Sequence, residues 1–331
     1  MAAFRFSNGP REDDVKEGEI LAGKYRVVRV VGSGGMGVVV QVVPVDGEGK
    51  LALKFLRPSV ARDPVAAKRF VREAEAARRV ESPHVVTIAD VGELDSGSPY
   101  LVMEYLEGST LDARLAAGKR LPLEEACDLA LQVALGLAAA HATGVIHRDI
   151  KPANLYLTAV SEGGETLKIV DFGVSKILDP EHADGQNLTR TQTALGSPLY
   201  MSPEQMRSAR TADFRADQWS LGAVLYRMVT GHLPFNAESL PRVCVRVLTG
   251  DFEPVVAHCP ELPSDFIASV ERCLRVSPAQ RHGDIADFAA AIAPFAGAQG
   301  NERAARCRAL LGAGQTGGLL PGRPEPTSPA S

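Results

Sequence analysis

The chain has 331 residues, of which 45% are hydrophobic and 23% are charged, a composition typical of globular proteins with one large domain or two lobes. Its net charge of −4 at pH 7 argues against a nucleic-acid partner. The five cysteines lack C-x-x-C spacing, which predicts reduced thiols in the cytoplasm. The chain has no signal-like N-terminus and no apolar run of about 18 residues, so we expect neither export nor a membrane span.

A glycine-rich motif follows the first predicted strand. Residues 1–24 are polar without periodicity and are predicted to form a flexible leader, whereas residues 25–31 are rich in valine and predict a strand. Residues 32–37 read G-S-G-G-M-G, and a second valine-rich strand follows them. A helix follows this motif in dinucleotide-binding folds, so the second strand favours a hairpin lid whose backbone N–H groups approach phosphate oxygens. The alternative is a plain tight hairpin.

The next strand carries one cation among apolar residues. Lys54 lies in the sequence L-A-L-K-F-L, at residues 51–56. A buried lysine is costly unless it is paired with an anion. The helical segment at residues 66–77 offers two carboxylates for that role, Glu73 and Glu75.

The strongest chemical signal lies in two motifs near the middle of the chain. Residues 147–154 read H-R-D-I-K-P-A-N, and residues 171–173 read D-F-G. Two Asp, one Asn and one Lys at these spacings predict a place that holds metal-bound phosphates beside a base. The alternative is a salt-bridged loop with a helix cap.

Each of these residue types suits phosphoryl transfer, in which catalysis is mostly positioning and electrostatic stabilisation. Asp171 and the amide oxygen of Asn154 are hard ligands suited to Mg²⁺. Asp149 would accept or orient the proton of the attacking hydroxyl group. Lys151 would place a point charge on the transferred phosphate.

In this order the motifs resemble those of protein kinases. The resemblance covers residues 25–295 and implies an α+β, two-lobed protein kinase fold. A small antiparallel β-sheet lobe with one helix, αC, is expected at about residues 25–103, and a larger, mainly helical lobe at about residues 107–295. ATP is expected to bind between them.

The resemblance also implies the activity, a serine/threonine protein kinase that transfers the γ-phosphoryl group of ATP to Ser or Thr hydroxyls of proteins. Lys151 favours Ser/Thr specificity over tyrosine specificity. The sequence R-F-V-R-E-A at residues 69–74, together with the glycine motif, resembles the bacterial branch of the family. The expected metal is Mg²⁺, with Mn²⁺ as the alternative.

The same resemblance assigns the nucleotide site. Glu73, rather than Glu75, is the expected partner of Lys54. Met103 is the expected gatekeeper, and backbone groups of Glu104 and Leu106 are expected to read adenine. The residues expected to bind ATP are Val31, Gly32, Ser33, Gly34, Gly35, Met36, Gly37, Val38, Val39, Lys54, Met103, Glu104 and Leu106.

Residues 174–203 lack regular periodicity, and a polar loop of that length is usually functional or disordered. The loop contains Thr189, Thr191 and Thr193, and Ser197 lies in the expected substrate platform. A phosphate on one threonine, with Thr191 favoured and Thr189 next, would pair with Arg148 and order the loop. We therefore expect regulation by autophosphorylation, with self-association allowing one copy to modify another. The alternative is that Arg148 pairs with a fixed carboxylate and the threonines have no role.

Three further residues are expected to be structural. By the same resemblance, Asp217 would accept hydrogen bonds from amides of the loop at residues 147–154, and Arg281 would pair with Glu204. Residues 296–331 are rich in Gly, Ala and Pro and are predicted to be largely disordered, except for a short helix at residues 301–311.

Two rival functions remain from the sequence. A pseudokinase scaffold would commonly lack one of Lys54, Asp149 or Asp171, and all three are present. A small-molecule phosphotransferase would be expected to lack the G-S-P and S-P-E segments at residues 196–198 and 202–204.

Overall fold

The computed structural model describes residues 15–116, 119–159, 164–172, 198–208 and 212–315. These residues form a smaller lobe built on a β-sheet and a larger helical lobe, which confirms the predicted fold class. No helix in these ranges is both long and apolar enough to cross a bilayer.

The smaller lobe is built on one antiparallel sheet. Its strands are β1 (Ile20–Leu21), β2 (Tyr25–Ser33), β3 (Gly37–Pro44), β4 (Leu51–Leu56), β5 (Ile88–Glu93) and β6 (Pro99–Glu104). They lie in the order β1-β2-β3-β4-β6-β5. In β3, Val38, Val40 and Val42 are fully buried, whereas Val39 between them is half-buried. Because side chains alternate along a strand, Val39 lies on the other face of the sheet.

Two helices follow β4, namely α1 (Pro58–Ala61) and α2 (Pro64–Arg78). The Asp63 carboxylate accepts a hydrogen bond from the Val65 amide at 2.9 Å and caps the start of α2. Phe70 and Ala74 belong to the buried stripe of α2, which packs against the sheet. The sequence pattern that predicted a helix here therefore also determined which face is packed.

The larger lobe combines helices with a three-stranded antiparallel sheet. The helices are α3 (Leu111–Arg114), α4 (Leu123–Ala142), α5 (Pro203–Arg207), α6 (Arg215–Thr230), α7 (Leu240–Thr249), α8 (Val255–His258), α9 (Ser264–Cys273), α10 (Ile285–Ile292) and α11 (Gly300–Gln315). Single 3₁₀ turns occur at Pro152–Asn154, Pro198–Tyr200, Pro278–Gln280 and Ala293–Phe295. The strands are β7 (Gly108–Thr110), β8 (Leu155–Ala159) and β9 (Glu165–Ile169). Helices α4 and α6 are buried over most of their length and form the centre of the lobe.

The small sheet positions both sequence motifs. Strand β8 begins directly after Asn154, and β9 ends two residues before Asp171. Leu155 and Leu157 of β8 and Ile169 of β9 are buried in the helical core. Packing of this sheet on the core therefore fixes where the two motifs emerge.

Two boundaries predicted from sequence need correction. Residues 20 and 21, placed in the flexible leader, form β1 and pair with β2. Residues 300–315, placed in a largely disordered tail with a helix at 301–311, form the longer helix α11. Burial of Ala304, Cys307 and Leu311 against other helices stabilises α11, a contribution that composition alone does not indicate. Residues 1–14 and 316–331 lie outside the described ranges.

Candidate active site

The segment at residues 147–154 connects α4 to β8 and brings three of the predicted residues together. The Asp149 side chain is almost fully buried, and its Oδ2 accepts hydrogen bonds from Lys151 Nζ at 2.8 Å and Asn154 Nδ2 at 3.0 Å. Asn154 Nδ2 also donates to the Asp149 carbonyl at 2.9 Å. The 3₁₀ turn at Pro152–Asn154 turns the chain so that Asn154 lies against Asp149. An acid, a cation and an amide therefore form one rigid group.

Asp217, at the start of α6, fixes the preceding backbone. It is fully buried and accepts hydrogen bonds from the amides of His147 at 2.9 Å and Arg148 at 2.6 Å, and from His141 Nε2 at 2.8 Å. Burial raises the pKa of Asp217, but the hydrogen bond and charge of His141, with help from His147, outweigh burial and hold that pKa below its usual value. The observed contacts are those expected of an amide cap.

These hydrogen bonds hold Arg148 in a strained backbone conformation. Its φ of 65° lies in the left-handed region, which costs a non-glycine residue on the order of 1 kcal/mol. Arg148 Nε is buried and has no hydrogen-bond partner among the residues that the structure describes. The Arg148 backbone is therefore fixed, whereas its buried Nε has no carboxylate partner in the described residues.

His147 links the two motifs. Its Nδ1 accepts a hydrogen bond from the Asp149 amide at 3.2 Å, and its Nε2 lies 3.0 Å from the Val170 carbonyl. Burial lowers the pKa of His147, which favours a neutral ring that donates from Nε2 and accepts at Nδ1. The ring also packs against Phe172, with centroids 4.6 Å apart. No role for His147 was predicted from the sequence, although its place in the motif at residues 147–154 was the available signal.

Lys54 and Asp171 join the two lobes. Lys54 Nζ donates to Asp171 Oδ1 at 2.7 Å, and both side chains are partly buried. Burial raises the pKa of Asp171, but the positive charge and hydrogen bond of Lys54 outweigh it, so that pKa lies below its ordinary value. Asp171 is therefore ionised at neutral pH.

The expected ion pair between Lys54 and Glu73 is not formed in the described ranges, because the Lys54 ammonium contacts Asp171 instead. Glu73 is half-buried at the edge of the packed face of α2, whereas Glu75 is exposed and lies 4.0 Å from Arg78. This placement favours Glu73 over Glu75 as the carboxylate on the packed side. A pair between Lys54 and Glu73 stays a prediction for the catalytically active arrangement.

The glycine-rich segment forms a tight connection between β2 and β3. The Gly34 amide donates to the Gly37 carbonyl at 3.0 Å. A Cβ atom at Gly37 would lie 2.4 Å from the Phe55 carbonyl oxygen, so only glycine fits there. Arg57 directly follows β4; its Nε donates to the Gly34 carbonyl at 2.7 Å and its Nη2 donates to Ser33 Oγ at 2.5 Å. Arg57 was missed by sequence reasoning because no motif includes it.

Strand register places three predicted nucleotide residues on one face of the sheet. Val39 pairs with Lys54, and Ala52 pairs with Met103. Residues opposite each other, or two apart on one strand, share a face. Val39, Lys54 and Met103 therefore face the same side.

The connection between the lobes is anchored to the larger one. The Glu104 amide donates to the Thr87 carbonyl at 3.0 Å. The Glu104 carboxylate accepts hydrogen bonds from the Thr87 amide and from Lys168 Nζ of β9, each at 2.7 Å. Leu106 follows in a segment without regular structure. The Glu104 side chain thereby ties the end of β6 to β9.

Arg281 is buried, and its ion-pair partner Glu204 is mostly buried. Its Nη1 and Nη2 each donate to one carboxylate oxygen of Glu204 at 2.7 Å. Ser202 caps α5, and Gln205 of that helix donates to the Arg148 carbonyl at 3.0 Å. These contacts fix residues 202–205 beside the segment at residues 147–154. The pair is the one expected from sequence.

Four predicted residues cannot be placed relative to this site, because they lie outside the described ranges. They are Thr189, Thr191, Thr193 and Ser197.

Comparison with known proteins agrees with this geometry. A family model for the protein kinase domain matches residues 25–291. The chain is 34% identical to serine/threonine-protein kinase pkn3 of Myxococcus xanthus, over 85% of this chain and 51% of that protein. It is 32% identical to serine/threonine-protein kinase PrkC of Bacillus subtilis, over 83% of this chain and 41% of that protein. The chain therefore spans about half or less of the length of these relatives.

The fold is also similar to that of a solved bacterial kinase domain. The Mycobacterium tuberculosis PknI kinase domain is 29% identical, with a TM-score of 0.67, and the match covers 86% of this chain and all of that one. The family model covers most of the chain and ends within α10. Together with the contact between Lys54 and Asp171 and the contacts of Asp149 with Lys151 and Asn154, these matches show that the chain belongs to the protein kinase domain family.

Proposed function

We propose that this chain transfers the γ-phosphoryl group of ATP to Ser or Thr hydroxyls of proteins. The observation that supports this most directly is the rigid group of Asp149, Lys151 and Asn154, with Asp171 and Lys54 in contact at the junction of the lobes. Phosphoryl transfer requires mainly positioned cations and a base, and this group contains both. The nucleotide would lie between the lobes at residues 25–103 and 107–295.

The donor set fits the divalent metal that the family uses in general. Asn154 donates through its amide nitrogen to Asp149, which leaves its amide oxygen as the ligand atom. Asp171 is held ionised by Lys54, and carboxylate and amide oxygens are ligands that Mg²⁺ and Mn²⁺ accept. When bound, the metal would neutralise charge on the phosphate oxygens. We infer Mg²⁺ as the usual ion.

Asp149 would accept or orient the proton of the substrate hydroxyl. Its Oδ2 is held by Lys151 and Asn154, so the carboxylate has one orientation. Lys151 would stabilise charge on the transferred phosphate from the same position. Lys54 would move from Asp171 to the α and β phosphates and pair with Glu73, which keeps Lys54 partnered in both arrangements.

We also propose regulation through Arg148, whose Nε has no hydrogen-bond partner in the described part of the chain. A phosphothreonine at position 189, 191 or 193 would supply an anion to this guanidinium group. Self-association would allow one copy to phosphorylate another. The strained φ of Arg148 supports a preformed receiving position.

The activity is tested by incubating the purified chain with labelled ATP and a generic basic protein. Label on Ser and Thr of the protein that is lost in Asp149→Asn supports the proposal. Asp112→Asn, an exposed carboxylate paired with Arg227, is the matched control and should retain activity. Nucleotide binding without transfer would indicate a pseudokinase scaffold. Transfer to small molecules alone would indicate the other rival function.

Regulation is tested separately by mass spectrometry of protein expressed with ATP available, beside a phosphatase-treated sample. A variant with Ala at positions 189, 191 and 193 should be several-fold slower than the phosphorylated wild type. An unphosphorylated loop in a fully active enzyme, or a triple variant as fast as wild type, would refute the switch.

A further inference from the structure

Helix α11 lies beyond residues 25–291, which the family model matches, yet it packs on the lobe that carries the site. Ala304, Cys307 and Leu311 form a stripe on one face of α11 and are buried in the same core as Ile169 and Phe172. Helices α4 and α10 provide the surface on which α11 lies. Helix α4 contacts both α11 and β9, so it connects α11 to the strand that precedes Asp171.

A chain of polar contacts runs from α11 to β9. The Arg303 guanidinium lies against the Asp128 carboxylate of α4, and both side chains are partly buried. Asp128 Oδ2 accepts a hydrogen bond from Gln132 Nε2 at 2.9 Å, one turn further along α4. The buried Gln132 accepts, through Oε1, a hydrogen bond from the Leu167 amide of β9 at 2.8 Å. Because Gln132 donates to Asp128 and accepts from Leu167, the orientation of its amide depends on Asp128.

Strand β9 connects this chain of contacts to both parts of the active site. Asp171 follows Ile169 by two residues, so a shift of the strand moves the carboxylate. The Ile169 amide donates to the His84 carbonyl at 2.9 Å, and the Ile169 carbonyl accepts from the Val86 amide at 3.0 Å. His84 and Val86 lie in the loop that follows α2, the helix that carries Glu73.

The loop that follows α2 packs closely against α4. A Cβ atom at Gly136 of α4 would lie 2.9 Å from the His84 carbonyl oxygen and 2.7 Å from Ile169 Cδ1. Such close packing leaves little freedom for β9 to move without moving the loop after α2. A displacement of the Gln132 side chain would therefore move β9, and with it both Asp171 and the loop that follows α2.

We propose that Arg303 is a positioning residue for Asp171, acting through Asp128, Gln132 and β9, so that α11 controls the geometry of the metal site from behind. Its effect on activity rests on the proposed kinase function, whereas its effect on β9 does not. Loss of the Arg303 charge lets Asp128 rotate and weakens the hold of Gln132 on Leu167. Direct partners of metal ligands change metal affinity about 10- to 100-fold when mutated, so this more distant residue should change it about 3- to 10-fold.

The chain offers a matched control on the same helix. Arg308 of α11 pairs with Asp284 and with Asp287 at the start of α10, and neither contact leads to β9. Arg308→Gln removes one positive charge from α11, as Arg303→Gln does, and weakens the packing of α11 on the lobe. It leaves the hydrogen bonds of Gln132 in place. Arg303→Lys keeps the charge and should behave as wild type or close to it.

Two measurements on the full chain test the proposal, below the unfolding temperature of every variant. Hydrogen–deuterium exchange of the Leu167 amide should be about fivefold faster in Arg303→Gln, as expected when one hydrogen bond loses its support, and unchanged in Arg308→Gln. The Mg²⁺ concentration that gives half-maximal transfer should rise about 3- to 10-fold in Arg303→Gln alone. Asp128→Asn should reproduce both effects, and combining it with Arg303→Gln should add little.

The proposal is refuted if Arg303→Gln changes neither quantity, or if Arg308→Gln changes both equally, since α11 would then act only by docking. If Arg303→Gln does not fold, the same outcomes are read from Asp128→Asn against Arg308→Gln. A wild-type chain without transferase activity would refute the proposed function, and exchange at Leu167 would still decide whether Arg303 supports β9.

Discussion

Replacing Glu204 by Gln is expected to lower the free energy of unfolding by about 3 kcal/mol. The Arg281 side chain is fully buried, and both of its terminal nitrogens lie 2.7 Å from the Glu204 carboxylate. Removing one partner of a buried ion pair costs about 3–5 kcal/mol, because the other charge is left uncompensated. Arg281 keeps hydrogen bonds to the carbonyls of Arg215 and Arg275 at 2.8 and 2.9 Å, which sets the expected cost at the lower end.

The protein contains its own probe for this experiment. Trp219 is the one tryptophan in the sequence, and the Arg281 guanidinium carbon lies 5.0 Å from its ring centroid. Tryptophan fluorescence during urea unfolding therefore reports on the same part of the core. With an m value of about 3 kcal/mol/M, a loss of about 3 kcal/mol shifts the urea midpoint by about 1 M.

The matched control removes a carboxylate from an exposed pair. Glu238 lies one turn before Arg242, and its Oε2 is 2.9 Å from Arg242 Nη1. The Glu238 side chain is 86% exposed and that of Arg242 is 69% exposed. Glu238→Gln should change the free energy of unfolding by less than about 0.5 kcal/mol. If the midpoints of Glu204→Gln and Glu238→Gln differ by no more than experimental error, burial does not determine the strength of the Arg281 pair and the reasoning fails.

Three further predictions concern the active site and its support. Asp149→Asn should lower kcat by about 10²-fold or more while ATP binding, measured by calorimetry, changes little, and normal turnover would contradict the assignment of the base. Lys54→Met should abolish transfer and Glu73→Gln should impair it, whereas an inactive Glu75→Gln beside a normal Glu73→Gln would show that the helix register is wrong. Because the pKa of Asp217 is lower in the folded protein than in the unfolded one, its carboxylate stabilises the fold above about pH 3.9, the unfolded pKa, and this contribution is lost as the pH falls through the folded value. The gap in urea midpoint between wild type and Asp217→Asn should therefore be largest at neutral pH and shrink towards pH 3, and a gap that is constant with pH would contradict this.

Part of the site could be predicted because it depends on residues close together in the chain. Asp149, Lys151 and Asn154 lie within six residues, and a single 3₁₀ turn is enough to bring them into contact. The Glu204 and Arg281 pair was also expected, although these residues are 77 positions apart, because family resemblance supplied the pairing. Residue chemistry and motif order together were sufficient for this part.

The contact between Lys54 and Asp171 was not predicted from the sequence. Resemblance implies a pair between Lys54 and Glu73 in the catalytically active arrangement, which stays a prediction. Two carboxylates compete for one cation, and the outcome depends on where α2 and β9 lie relative to β4. That is a property of lobe packing, which no local pattern contains.

The amino-acid sequence by itself determined the fold class and the family and predicted the catalytic side chains, because the motifs at residues 147–154 and 171–173 resemble those of protein kinases. Only the tertiary structure decided which side chains support them. The Leu167 amide donates to Gln132 of α4, and Arg303 of α11 contacts Asp128, two contacts that no sequence pattern indicated. Such contacts form between surfaces created when helices pack, so their partners are defined by burial and orientation rather than by spacing in sequence.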